Sequence, residues 1–381
     1  MLCLLPLSTR PGAGRQPRDI DRSRCVTTPG SLVCPVPLRR YPSIVMAHGG
    51  GGRLMRDLIS GVFAAAFGAA EASHDRALHD SALLNVENPE GAGLQLAMTT
   101  DAYVVRPMFF PGGNIGEIAV YGTVNDLAMG GAEPKWLSAA FIIEEGLEME
   151  TLLRVVEAMR DAAIATGISI MTGDTKVVER GRGDGLFITT SGVGVVRSPI
   201  PIGPQSIAED DAVLLSGDIG RHGIAVMAAR ESLALQTEIL SDCAPVSTPA
   251  LAMLEAGIEV HCMRDLTRGG LASALVEIAE DASLQITVDE RAIRIRPEVA
   301  SACELMGFDP LHVANEGRFV SFVASHDAER ALEILRRYDV ARDAVRIGTV
   351  TRASNGHVLI KTIGGLRPVD MLSGELLPRI C

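Results

Sequence analysis

What most constrains the fold of this chain is that runs of helical and of strand periodicity alternate twice, on either side of a break at Pro199, Pro201 and Gly203. A chain whose strands and helices interleave buries both by laying helices on sheets, so the pattern predicts two α/β (α+β) domains of similar size. The first series predicts a helix over 55–67, a strand over 94–105, a helix near 115–130 and a strand over 136–143. An amphipathic helix follows over 149–166, with Leu152, Val155, Val156, Met159 and Ala163 on one face, and then strands over 168–173 and 187–196. The second series opens on the apolar strand 212–216. It continues with helices near 223–231, 249–256, 270–282, 297–305 and 328–338 and strands over 284–289, 318–323, 344–350 and 357–361.

Residues 1–45 belong to a different compositional class. Seven prolines, three cysteines and seven arginines stand there against two acids, Asp19 and Asp21, with no apolar h-region. The segment reads as a disordered extension or a start placed too early, since Met46 opens an ordinary globular composition. The expected organisation is therefore a domain over 46–198, a second over 208–363, and a flexible tail over 364–381 hinged at Gly364, Gly365 and Gly374. The chain as a whole has 47 acidic and 35 basic residues, a net charge of −12. This excess repels phosphate backbones and anionic lipid, so neither nucleic acid nor a membrane is an expected partner. No apolar run approaches the ~20 residues that span a bilayer. The seven cysteines show neither the close pairing of a zinc site nor the density of a disulfide scaffold, which points to a reducing cytoplasm.

Several motifs carry chemistry. His48-Gly49-Gly50-Gly51-Gly52 lies ahead of a helix, where free N–H groups suit a phosphate or serve only as a flexible lead-in. Asp101 ends a strand in Thr99-Thr100-Asp101, and Asp126 sits on an apolar helix in Asn125-Asp126-Leu127, where a buried charge needs compensation such as Mg²⁺ or an arginine. Gly173-Asp174-Thr175-Lys176 reads as a strand end, a glycine turn and an ammonium that either lies on phosphate or decorates the surface. Arg264-Asp265 with Arg268-Gly269-Gly270 repeats the coupling of an acid to glycines before a helix. Glu316 of Asn315-Glu316-Gly317 is a general base or a turn residue. Cys381, the last residue of the sequence, sits beside its own carboxylate, which raises the thiol pKa.

Together and in this order these segments resemble the hydrogenase expression/formation protein HypE family, within the superfamily of aminoimidazole ribonucleotide synthetase and selenophosphate synthetase. The resemblance runs from Met46 to Cys381. It is carried most specifically by Phe109-Phe110-Pro111-Gly112-Gly113-Asn114-Ile115-Gly116, Gly173-Asp174-Thr175-Lys176, Arg264-Asp265 with Thr267-Arg268-Gly269-Gly270, Ala314-Asn315-Glu316-Gly317 and Pro378-Arg379-Ile380-Cys381. Gly50 departs from the small hydroxyl residue usual there, and Leu266 from proline. The resemblance implies an N-terminal domain whose sheet pairs with a second subunit's in a barrel, giving a homodimer, a C-terminal α/β domain, and ATP between them. It implies Cys381 as carrier, Glu316 as base and Lys176 on the phosphates. His48, Gly50, Gly51, Gly52, Asn125, Gly173, Asp174 and Thr175 are implied around the nucleotide, and Asp101, Asp126, Asp265 and Asp80 on Mg²⁺. The implied reaction is ATP-dependent dehydration of a carbamoyl group, received on Cys381 from HypF, to a thiocyanate. The cyano group then passes to iron on the HypC–HypD complex for [NiFe] hydrogenase. Two alternatives stay open: an enzyme of the superfamily that phosphorylates a diffusible substrate, and a nucleotide-sensing scaffold that presents its tail without chemistry.

Overall fold

The structure is a computed structural model and describes residues 43–64, 79–86, 94–231, 239–353, 356–372 and 380–381. Nearly all of the expected extension over 1–45, together with Gly374 and Pro378-Arg379 of the tail, lies outside the described residues. A short helix α1 (Arg53–Leu58) follows the glycine segment. The first half then builds β1 (Ala82–Val86), β2 (Leu94–Tyr103), the hairpin β3 (Phe109–Phe110) and β4 (Gly113–Asn114), helix α2 (Ile115–Met129), β5 (Ala132–Glu144), helix α3 (Met149–Thr166), β6 (Ser169–Val178) and β7 (Leu186–Val196). Five of the strands form one sheet in the order β1-β2-β7-β5-β6. Its pairs are antiparallel except β5 with β6, which run parallel because α3 carries the chain back between them.

Helix α2 explains how a polar site can be held at the centre. The Asn114 side chain accepts from Gly116 N (2.9 Å) and Glu117 N (3.0 Å), capping its first turn. Beyond the cap the helix is buried on nearly every side, with β2, β5 and β7 on one flank and α3 on another. A helix apolar all round is a core element, and a charge on it is there for a reason other than solvation.

The second half builds β8 (Ala212–Leu215), α4 (Arg221–Arg230), α5 (Ser247–Glu255), β9 (Val260–Asp265), α6 (Gly270–Ala282), β10 (Gln285–Asp289), α7 (Pro297–Met306), β11 (Phe319–Val323), α8 (Ala328–Leu335), β12 (Val345–Thr351), β13 (Val358–Thr362) and β14 (Gly365–Val369). These strands form a seven-stranded sheet in the order β14-β13-β10-β12-β8-β11-β9, with β8 and β11 wholly buried. One apolar cluster joins the halves. It packs Ile118, Val120 and Val124 of α2 with Ile224, Val299, Val313 and, from the chain's end, Ile380.

Three differences from the sequence reading have physical causes. The strand predicted over 168–173 runs on to Val178, so Gly173 is not a turn. A Cβ there would lie 2.2 Å from the Ala139 carbonyl oxygen, and glycine is required by close strand approach. The expected tail loses its first residues to β14, which pairs antiparallel with β13 and places Pro368 on an edge, where its missing N–H costs little. Strands β1 and β9 were not anticipated. Among the described residues, no helix is long and apolar enough to cross a membrane.

Candidate active site

Four carboxylates meet where the two halves face each other. Asp80 precedes β1, Asp101 lies near the end of β2, Asp126 is on α2 and Asp265 ends β9. Single carboxylate oxygens of Asp80, Asp126 and Asp265 lie within 4.8 Å of one another. Neighbours orient each acid. Thr99 Oγ1 donates to Asp126 (2.7 Å), Tyr103 Oη and Thr123 Oγ1 donate to Asp101 (3.1 and 3.2 Å), and Thr267 Oγ1 donates to Asp265 (3.3 Å). Arg264 is ion-paired within the group, with Nε 2.6 Å from Asp80 and a second nitrogen 2.6 Å from Glu277.

Arg264 and, beside Asp101, Arg268 do not neutralise four carboxylates, of which Asp265 is buried and the other three are partly buried. Burial first, and then the charge of neighbouring acids, raises Asp126 and Asp265 well above the ordinary carboxylate range. Burial also raises Asp80 and Asp101, against the pull of Arg264 on the first and the hydroxyl donors on the second. Three hard oxygen donors at this spacing, with too little positive charge nearby, suit a hard dication such as Mg²⁺.

Glu316 comes from the loop before β11 and is 3% exposed, with Oε1 lacking any hydrogen-bond partner. Its carboxyl is raised well above the usual range by burial and then by Asp265, Asp242 and Asp101, while Arg268 pulls the other way. A small cavity is lined by Glu316, Cys381, Arg268, Asp101, Asp126 and Asp265. The terminal residue is docked in it. Val104 N donates to an α-carboxylate oxygen of Cys381 (3.1 Å), and burial pushes the thiol up to about 12 despite Arg268.

Two larger cavities adjoin this one. The first, about 760 Å³, is bordered by His48, Gly49, Gly50 and Gly52 and by Ile44, Val45, Leu58, Val104 and Ala314. The second, about 320 Å³, contains Gly51, Asp80, Asp101, Asp126 and Asp265. They share Gly52, Arg268 and Ser273, so an apolar compartment opens into an acidic one past the glycines. Two glycines here, Gly51 and Gly269, are sterically required. Gly51 has φ +74°, and a Cβ on it would lie 2.5 Å from the Arg268 carbonyl carbon; one on Gly269 would lie 2.5 Å from the Gly51 carbonyl oxygen.

The structure therefore brings together His48, Gly50, Gly51, Gly52, Asp80, Asp101, Asp126, Asp265, Glu316 and Cys381. It does not bring Lys176, Asp174 or Thr175 to them within one chain. These lie exposed on β6, the sheet's outermost strand, and line none of these three cavities, while Gly173 borders an apolar groove against α3. Asn125 also lines none of the three cavities, and its amide bonds to protein. Nδ2 donates to Ala244 O (3.2 Å) and Oδ1 accepts from Val246 N (2.8 Å), tying α2 to α5. Arg268, which borders all three cavities and is held by a bond to the Gly49 carbonyl (3.2 Å), had no assigned role. The signal available was its position in a glycine motif three residues after Asp265.

Comparison with known proteins bears on this geometry. The family model described as AIR synthase related protein, N-terminal domain, matches residues 78–196, and its C-terminal counterpart matches 208–361. Carbamoyl dehydratase HypE of Cupriavidus necator is 48% identical over 344 residues, covering 89% of this chain and 95% of that protein. The chain belongs to the HypE family. The HypE of Escherichia coli is 43% identical over 339 residues, covering 89% of this chain and 99% of its own. Among solved structures, a HypE–HypF complex superposes with a TM-score of 0.75 at 44% identity, covering 83% of this chain and 99% of that one. HypE in complex with ATP superposes at 0.73 with 40% identity, covering 89% and 100%.

Proposed function

We propose that this chain is an ATP-dependent carbamoyl dehydratase that converts an S-carbamoyl group on Cys381 to a thiocyanate, supplying the cyanide ligand of [NiFe] hydrogenase. The observation that carries the reading is the docking of the Cys381 thiol in one small cavity with Glu316, Arg268 and the acid group. HypF is the carbamoyl donor and the HypC–HypD complex the cyanide acceptor. The working halves are 46–198 and 208–363, with the carrier tail beyond β14.

The amide oxygen is a poor leaving group, so ATP must first convert it to a phosphate ester. The oxygen bonds to the γ-phosphorus and ADP leaves. Phosphorylation of the oxygen makes the nitrogen acidic, and it releases a first proton to solvent to give the neutral imidate; the second N–H proton then goes to Glu316 as the C–O bond breaks, phosphate departs and the nitrile remains on sulfur. A buried glutamate with an unpaired oxygen is a strong proton acceptor once ionised, and Arg268 lies where negative charge grows on the departing oxygen. The apolar compartment suits a base and sugar, and Gly51 and Gly52 give the phosphates room at its acidic end. Asp80, Asp101, Asp126 and Asp265 would hold Mg²⁺, whose charge would offset that of the acids and of the phosphates and so ease the ionisation of Glu316.

Lys176 retains its phosphate role as a contribution from a second copy. Nine of the ten residues of β6 are exposed, including Met171 at 65% and Val177 at 61%, and an open strand of this length favours pairing into a homodimer.

The deciding experiment is intact-mass measurement after incubation with HypF, carbamoyl phosphate and ATP. Expected is an adduct on Cys381 lighter by one water than the carbamoylated chain. A carbamoyl adduct that never loses water would leave a carrier without dehydratase chemistry, and no adduct would favour a diffusible substrate.

A further inference from the structure

The hairpin of β3 and β4 belongs to the longest motif of the sequence, yet nothing above gives it a part in the chemistry. It packs around His222, the second residue of α4, which is 0% exposed. The imidazole meets the Phe110 ring edge-on, with centroids 5.3 Å apart and planes at 84°. Its Nδ1 lies 2.9 Å from Ser241 Oγ, and its Nε2 lies 2.6 Å from the carbonyl oxygen of Ile380. Ser241 is fixed in turn. Its N–H donates to the Pro111 carbonyl in the hairpin turn (2.8 Å), and its Oγ accepts from Cys243 N (3.0 Å).

The chemistry of the groups sets the direction of each bond. A carbonyl only accepts, so Nε2 carries the proton and donates to Ile380. Ser241 Oγ already accepts from Cys243, which leaves its own proton for Nδ1. Burial lowers the imidazole pKa, with Asp242 and the Ile380 carbonyl opposing, and the neutral ring matches this arrangement. The ring is thus clamped by a hydroxyl and a hairpin on one side and offers a single N–H to the chain's end on the other. Among the described residues the docked end has one further hydrogen bond, Val104 N to an α-carboxylate oxygen of Cys381, whose donor is a backbone N–H that does not depend on the side chain at 104. The Ile380 side chain, 5% exposed, is seated in the cluster that joins the halves.

We propose that His222 is a positioning residue, a latch whose Nε2–H holds the Ile380 carbonyl and so keeps Cys381 docked beside Glu316 and Arg268, with Ser241 and the hairpin setting its tautomer and aim. The bearing of this latch on dehydration rests on the carrier role proposed for Cys381; the latch itself does not.

The test uses the full chain without nucleotide and follows iodoacetamide labelling at each cysteine by peptide mass spectrometry. Wild type is compared with His222→Ala, His222→Gln and Ser241→Ala. His222→Ala is expected to speed labelling of Cys381 about tenfold, the scale of one buried hydrogen bond, while the buried Cys262 and Cys303 stay protected. His222→Gln, whose amide nitrogen reaches the place of Nε2, restores most of the protection, and Ser241→Ala gives a smaller gain in rate. Unchanged Cys381 labelling in a folded His222→Ala chain overturns the proposal. Should Cys262 and Cys303 open as well, that variant has lost its fold, and Ser241→Ala decides: a selective gain at Cys381 supports the latch and a wild-type rate overturns it. A selective gain combined with a wild type that never acquires a thiocyanate keeps the latch and removes the carrier; an adduct with no selective gain does the reverse.

Discussion

Burial pushes the docked Cys381 thiol up to about 12, Arg268 opposes this, and Glu316, Asp101 and Asp265 add to it. A thiol so placed is almost wholly protonated near neutral pH and a poor nucleophile. On the carrier role proposed for Cys381, receiving a carbamoyl group and dehydrating it are therefore tasks for two positions of one residue. Glu316 has the complementary property of binding a proton tightly in a place that water does not solvate. Glu316→Gln keeps the shape and removes the base, so carbamoylated chain should accumulate and its loss of water should slow by about 10²-fold or more, read by intact mass, with ATP binding retained. Asp101, Asp126, Asp265 and Glu316 were legible in the sequence because charges on apolar runs, at strand ends or beside glycines stand out, whereas Asp80 came only from the family resemblance. Arg268 and His222 were not, since a lone arginine in a turn or a histidine on a helix gives no local sign of the cavity or carbonyl it faces.

At the scale of elements, glycine was the least readable residue. Gly173 signalled a turn but serves a close strand approach, whereas Gly51 and Gly269 were noticed as lead-ins and prove to be a backbone-to-backbone contact. Gly51→Ala should cost about 1–3 kcal/mol through positive φ and the clash with Arg268, and should weaken ATP binding in calorimetry. Gly167→Ala, at a positive φ with open space around it, should cost less and leave ATP binding unchanged. Strand β9 was missed because it carries His261, Arg264 and Asp265 among apolar residues and so lacks clean alternation. Strand β14 was missed because glycine, arginine and proline in five residues read as a tail. The amphipathic α3 was legible from its period. The exposed β6 yields its own expectation: Met171→Asp should halve the mass seen by sedimentation and, if Lys176 acts across the pair, lower turnover with it.

For the whole molecule, the acid group makes stability depend on pH in an uncommon direction. Asp80, Asp101, Asp126, Asp265 and Glu316 all hold protons more tightly folded than unfolded. Between the ordinary carboxylate range and these raised values the folded chain binds more protons, so stability falls as pH rises through that window. In EDTA the melting temperature should drop from about pH 5 to about pH 8, and Mg²⁺ should recover most of the loss. A flat profile in EDTA would count against the buried acids as described. One more consequence lies in the isoleucine next to the carrier. When that side chain leaves its seat, a residue-sized void opens at the seam of the two halves, at a cost of roughly 2 kcal/mol. On that scale the emerged form is a few per cent of the population, and any outside protein that takes hold of the sulfur binds about thirtyfold weaker than its contacts alone would allow. The seam thereby sets how long the thiol stays away, and favours brief visits over lasting complexes.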